Sequence, residues 1–239
     1  MVIEVLYPEL GSLYGEYGNL LYLTKCCSEA EVIRTNHKSR PYFADNDVDV
    51  ILASSMLERF QPTAAEALRP HLNRFRELIE KGTVVLFTTN TVDLLGEYIL
   101  REEGIREEML GLFPYHTEIK DKRINSLLLG SFEGIKIIGY KAQNAQVYGK
   151  IDHPFLKLDG GCGNNREDGN EGIHYRNLFA TYMTGHLLPQ NPLLMKYILR
   201  LLGRDDTLAF EEDAMAAYEN SLREYEDPAL SHDLIWHNV

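Results

Sequence analysis

The sequence predicts an α/β domain built on a mostly parallel central sheet, with helices packed on both of its faces. Three observations lead there. Apolar stretches of strand length alternate with amphipathic stretches of helix length through the first half of the chain, the order that a parallel sheet with crossover helices requires. One of these stretches, Val48 to Ala53, is nearly continuously apolar and bounded by turn residues, which suits a strand covered on both faces. The 239 residues are 44% hydrophobic and 25% charged, enough for one sizeable core in an ordinary globular protein. No repeat, low-complexity tract or linker interrupts them, so a single domain over residues 1–239 is expected.

Each element follows from its pattern. Val2 to Tyr7 reads as the first strand, and Leu13 to Cys27 as a helix entered through a glycine-rich turn. Glu31 to Thr35 is β-rich, and Val48 to Ala53 is the buried strand already noted. Thr63 to Lys81 reads as one long amphipathic helix with Gly82 as its stop. Thr83 to Phe87 is the next buried strand, and a helix is expected from about Val92 to Glu103. The second half changes character: Tyr115 to Lys120, Ser126 to Phe132 and Ile135 to Tyr140 look like antiparallel strands joined by short polar turns. Gly160 to Gly172 is a Gly/Asn/Asp-rich loop, too polar to be core. Asn177 to Met183 restores a strand, Pro192 to Leu202 a helix, and Asp213 to Tyr225 a final acidic helix.

Composition narrows the function classes. A formal net charge of −12 argues against a binder of the nucleic-acid backbone. No stretch approaches the roughly 18 consecutive apolar residues of a spanning helix, so no integral membrane segment is expected. The apolar start, Met1 to Leu6, is short and lacks a basic flank, so it reads as a strand rather than a signal peptide. A cytoplasmic location is the default. Cys26, Cys27 and Cys162 show no metal-type spacing with histidine, and free thiols are the simplest account. No metal and no cofactor is expected.

In a doubly wound sheet, ligands sit beyond the carboxyl ends of the strands. Ala53-Ser54-Ser55 and Thr88-Thr89-Asn90-Thr91 therefore matter most, the second lying where a sharp strand-to-helix turn would present a nucleophile. Leu13-Tyr14-Gly15-Glu16-Tyr17-Gly18-Asn19-Leu20 resembles the signature that opens the cobyric-acid-synthase-like branch of the class I glutamine amidotransferases. The run Gly163 to Leu178, with Thr181-Tyr182 and Leu188-Pro189, is more similar still to the glutaminase subunit family of lipid II isoglutaminyl synthase. The resemblance spans nearly the whole chain and is weakest in the middle. It implies a three-layer α/β/α, flavodoxin-like fold. It also implies a Mur-ligase-like, ATP-dependent partner that amidates a glutamate of the peptidoglycan stem with ammonia from the glutaminase.

Against that family pattern, four segments depart. The elbow cysteine, which the family follows with two glycines, falls at Thr89, with Asn90 and Thr91 at the glycines. A threonine hydroxyl is a far weaker nucleophile than a thiol near neutral pH, and needs a strong base beside it. The family histidine falls at Thr184; His186, two residues on, is displaced by roughly 7 Å if the chain stays extended. Ser54-Ser55 replaces a glycine-rich oxyanion turn. The segment that ends in the family's arginine appears as Gly139 to Gln146, and Gln146 cannot supply the fork that grips a carboxylate. No catalytic residue is therefore expected, and the pocket candidates are Ser54, Ser55, Asn90, Gln143, Gln146 and His186.

Several residues have plainer readings. Thr89 and Thr184 read as polar residues at strand ends, Cys162 as a solvated loop thiol, and His174 as an anchor for its loop. Tyr14, Tyr17 and Tyr22 read as helix packing residues, Gly163-Asn164-Asn165 as turn formers, and Glu211-Glu212-Asp213 as support for a helix N-terminus. Trp236 reads as an apolar residue docked on its own domain. Three functions remain: a non-hydrolytic subunit acting as scaffold, regulator or ammonia conduit; a hydrolase or transferase rebuilt around Thr89, Asn90, Gln143 and His186; and a small-molecule sensor using the old glutamine pocket.

Overall fold

Side chains alternate along each short strand of the first half, and this sorts the core onto two faces. The computed structural model describes residues 1–11, 13–15 and 17–234. Strands β1 (Val2–Leu6), β2 (Glu31–Thr35), β3 (Val50–Ala53) and β4 (Val84–Thr88) lie parallel in the order β2-β1-β3-β4. Leu6, Ile51, Ala53, Val85 and Phe87 point to one face, where α2 (Gln61–Leu68) and α3 (Leu72–Lys81) cover them with Ala65, Leu68, Phe75 and Leu78. Ile3, Val50, Leu52, Val84 and Leu86 point to the other, against Leu20 and Leu23 of α1 (Tyr17–Cys26).

Two helix expectations need correction here. The helix expected from Leu13 begins at Tyr17, because Gly15 takes a left-handed turn at φ 83°. The helix expected over Thr63 to Lys81 is two helices, separated by a 3-10 turn at Arg69–His71. Pro70 sits in that turn, where it lacks an N–H for the helical ladder and its ring crowds the preceding turn. Gly82 does stop α3, left-handed at φ 94° with its N–H bonded to the Ile79 carbonyl.

The helix expected from Val92 is absent too. A 3-10 turn runs over Thr89–Leu95, followed by strands β5 (Tyr98–Leu100) and β6 (Arg106–Glu108). Thr89, Thr91 and Val92 are β-branched and poor helix formers, and Gly96 lies so close to Tyr115 that a Cβ there would stand 2.6 Å from its ring. β7 (Tyr115–Phe132) and β8 (Ile135–Gly149) then form one long hairpin in place of three short strands. Glu133 and Gly134, both left-handed, make its two-residue turn. β9 (Leu156–Gly160) and β10 (Asn170–Glu171) complete a second sheet in the order β10-β9-β7-β5-β6, with β8 on the other flank of β7.

β11 (Ile173–Tyr175) and β12 (Leu178–Thr181) return to the first sheet, β12 parallel beside β4 and β11 antiparallel at the edge. The chain ends in α4 (Leu187–Gln190), α5 (Pro192–Leu201) and α6 (Glu211–Tyr225). Leu194, Met195, Ile198 and Leu199 of α5 pack on the same face as α1, which completes the α/β/α layering. Glu211, Glu212 and Asp213 form the first turn of α6.

The polar loop Gly160 to Gly172 is partly core after all, since Asn164 and Glu171 are fully buried. Its own side chains make that tolerable: Asn164 Oδ1 accepts the Gly172 N–H at 2.8 Å, and Glu171 accepts Tyr182 N–H and the Thr181 hydroxyl, each at 2.8 Å. Cys162 is half-buried rather than solvated, and burial pushes its thiol up. Of the three tyrosines, Tyr22 packs in the core while Tyr14 and Tyr17 are exposed. His174 is wedged between Phe132 and Phe179. Trp236 lies outside the described residues.

Asn191, fully buried, joins the two sheets' supports: its side chain accepts from Ile138 N–H at 2.9 Å and donates to Ile138 O and Leu187 O, each at 2.9 Å. Replacing it strands backbone groups of β8 without partners. Asn191→Ala is expected to lose on the order of 2 kcal/mol, read as a lower urea midpoint at unchanged slope.

Candidate functional site

At the carboxyl end of β4 the chain turns sharply. Thr88 is extended, and Thr89 sits in the left-handed region at φ 57°, a conformation that costs a β-branched residue dearly. Thr89 is nearly buried, and its hydroxyl donates to the Thr88 carbonyl at 2.5 Å. Thr91 donates to the same carbonyl at 2.7 Å. The elbow therefore has the backbone form of a nucleophile turn, while its hydroxyl is engaged by its own neighbour.

Below and beside the elbow opens a cavity of about 500 Å³, whose walls include Thr89, Asn90, Asp93, Gln143, Tyr182 and Thr184. Asn90 clamps the Met56 backbone, accepting its N–H at 3.0 Å and donating to its carbonyl at 2.7 Å. The Met56 amide, three residues past β3, is thus already engaged. Thr184 is also committed, its N–H and hydroxyl both donating to Tyr140 O, at 2.8 and 3.1 Å. Gln143 donates to Ala145 O at 2.7 Å, leaving its Oε1 buried without a donor.

The remaining expected residues stand elsewhere. Ser54 and Ser55 border a small crevice on the β1 side with Tyr7, Tyr17 and Asn19, and Ser55 Oγ accepts the Leu13 N–H at 2.7 Å. Gln146 is buried in β8, where its Oε1 accepts the Tyr148 hydroxyl at 3.2 Å. His186 is exposed and outside the cavity walls. Its ring fills the space left by Gly15 and Gly18; a Cβ at Gly18 would stand 2.1 Å from Nδ1. Asn19 fixes that segment, accepting the Leu188 N–H at 2.9 Å and donating to Gly185 O at 3.3 Å.

The most developed group on the floor went unread in the sequence. Asp93 is 1% exposed, yet it borders the cavity. Its Oδ1 accepts the Thr117 hydroxyl at 2.8 Å and the Tyr182 hydroxyl, and its Oδ2 accepts Gln61 Nε2 at 2.8 Å. Arg101 backs this network, donating to Gln61 Oε1 at 2.8 Å. Burial holds the Asp93 carboxyl above the usual carboxylate range, and the bonds from Tyr182, Thr117 and Gln61, with the charge of Arg101, pull it part of the way back. Among the described residues no group of three His, Cys, Asp or Glu is placed to hold a metal ion, and no helix is long and apolar enough to cross a membrane.

A β2-β1-β3-β4-β12-β11 sheet with a left-handed elbow at β4 and a cavity at its carboxyl end defines a glutamine-amidotransferase-type domain. The chain belongs to the CobB/CobQ-like glutamine amidotransferase domain family, whose profile matches residues 2–192. It is similar to the lipid II isoglutaminyl synthase (glutamine-hydrolyzing) subunit GatD of Staphylococcus aureus (strain N315), 28% identical over 84% of this chain and 83% of that protein. The same-named subunit of Streptococcus pneumoniae (strain ATCC BAA-255 / R6) is 26% identical over 94% of this chain and 90% of its own length. A crystal structure of a glutamine amidotransferase shares the fold, with a TM-score of 0.54 at 15% identity over 85% of this chain and all of that one.

Two measurements probe the elbow and the floor. Thr89→Gly relieves the left-handed strain and is expected to raise stability by about 1 kcal/mol, seen as a higher denaturation midpoint. Asp93 binds its proton more tightly folded than unfolded, so it contributes stability below its ordinary value of 3.8 that is lost as pH rises through the raised folded value. Urea titrations at stepped pH should therefore show wild type losing ground to Asp93→Asn from just above pH 3.8 upwards. A difference that stays flat with pH contradicts this account of Asp93.

Proposed function

We propose that this chain is a non-hydrolytic amidotransferase-like subunit. It acts as scaffold, regulator or ammonia conduit for a Mur-ligase-like, ATP-dependent partner that amidates a peptidoglycan precursor. It works as a single domain in the cytoplasm. Similarity to subunits named for lipid II isoglutaminyl synthase motivates the partner class. The observation that carries the non-hydrolytic part is the state of the elbow: the Thr89 hydroxyl is bonded to Thr88 O, and among the described residues no histidine lines the cavity beside it.

The electrostatics favour the same reading. Acyl transfer from an amide passes through an oxyanion that needs waiting N–H donors, and of the amides near the end of β3 the Met56 N–H, just past Ser54-Ser55, is bonded to Asn90 and not free to serve as one. When ionised, Asp93 on the floor opposes any negative charge that develops above it. A hydrolase rebuilt around Thr89 and His186 gains little support from a ring held in a glycine cradle outside the cavity. The sensor reading does have an observation behind it, because the cavity is open and holds about 500 Å³, within the range of small-molecule sites.

Purified protein, alone and with its ligase partner, is expected to release no ammonia from glutamine above the uncatalysed background. Thr89→Cys is expected to stay inactive, since a thiol without a base at the Thr184 position lacks its activating group. Glutaminase rates like those of an intact homologue would overturn the proposal.

A further inference from the structure

A second cavity lies between α3, the edge strand β11 and the open end of the β7–β8 hairpin. It holds about 480 Å³, within the range of small-molecule sites, and shares no wall residue with the elbow cavity. Leu112, Phe113, Ile151 and Tyr175 form its sides, all half-buried against a core that includes Ile79 and Ile173. The apolar surface they leave open is surface that a ligand can remove from water. The Phe113 and Tyr175 rings meet edge to face, with centroids 6.0 Å apart and planes at 73°. Such a corner offers both a ring face and a ring edge, and a third flat ring can join it in offset or edge-to-face contact.

The charges at the mouth decide what that ring should carry. Both acids of the walls are matched within the protein. Glu80, one turn further along α3 than Arg76, accepts the Tyr175 hydroxyl at 2.7 Å and pairs with Arg176 at 3.3 Å. Asp152 pairs with Lys150 at 2.9 Å. Arg76 is the cation left over. It is exposed, gives one hydrogen bond to Gly111 O at 3.2 Å, and has no carboxylate partner among the described residues. Its guanidinium keeps further N–H donors in a planar fork that suits a carboxylate. An exposed ion pair alone contributes little, so ring burial supplies most of the affinity and Arg76 selects the charge.

We infer that this cavity is a second ligand site, one that takes small aromatic monocarboxylates. The ring lies against Phe113 and Tyr175, and the carboxylate meets Arg76 at the mouth. None of these residues belongs to the elbow, so the site stands or falls separately from the absence of glutaminase chemistry.

The probe is sodium 3-phenylpropanoate. 3-Phenylpropan-1-ol keeps the ring without the charge, 3-phenylpropylammonium chloride reverses the charge, and sodium propanoate removes the ring. Calorimetric titration and thermal unfolding of the full chain should show saturable binding and a raised unfolding temperature with phenylpropanoate. The alcohol should bind roughly tenfold more weakly, the ammonium more weakly still, and propanoate not detectably. Arg76→Ala should bring phenylpropanoate down to the level of the alcohol and leave the alcohol unchanged. Ile151→Trp, which fills the cavity, should abolish both. Arg76 is exposed, so its variant keeps the fold and decides the matter if Ile151→Trp does not. Phenylpropanoate that gives no saturable heat, binds no better than its alcohol, or binds the folded Ile151→Trp as well as wild type overturns the assignment.

Discussion

The cavity depends on one buried carboxylate. Through Asp93, the turn after β4 is tied to β7 by Thr117, to the end of β12 by Tyr182 and to α2 by Gln61. These four segments come from both sheets and from a covering helix. That side chain pins the turn after β4 to its neighbours, within an apolar core that also spans the two sheets.

Around that node the elbow has the backbone form of a nucleophile turn, with a left-handed residue at Thr89. Its neighbours have turned inward: Thr89 onto Thr88, Asn90 onto Met56, Thr184 onto Tyr140. The result is a cavity whose rim is bonded largely to the protein's own backbone.

The layered fold was legible because alternation and burial are local signals. Val50 to Ala53 and Val84 to Thr88 bury every residue, and the sequence shows that directly as apolar runs. The segment from Thr89 to Leu100 misled, because Val92 and Leu95 match helical spacing while the chain there runs as a 3-10 turn into a short strand. Asp93 was hidden by the same misreading, since an acidic residue near an expected helix start is ordinary. Its partners Gln61, Thr117 and Tyr182 are 32, 24 and 89 residues away, beyond the reach of any periodicity. The retained end signatures were readable; the reason they persist, Asn19 and the glycines holding the segment after Thr184, needed coordinates.

That glycine cradle also fixes the character of an outer face. An exposed histidine ring ordinarily samples several rotamers, and anything that grips it must first arrest that motion. Here the imidazole of His186 is seated between two residues that have no side chain to yield. A side chain at Gly18 would displace it. On the same segment as those glycines, Tyr14 and Tyr17 are also exposed. The molecule therefore presents a patch of aromatic surface that is partly moulded in advance, one that can be recognised with little loss of freedom on this side of the contact.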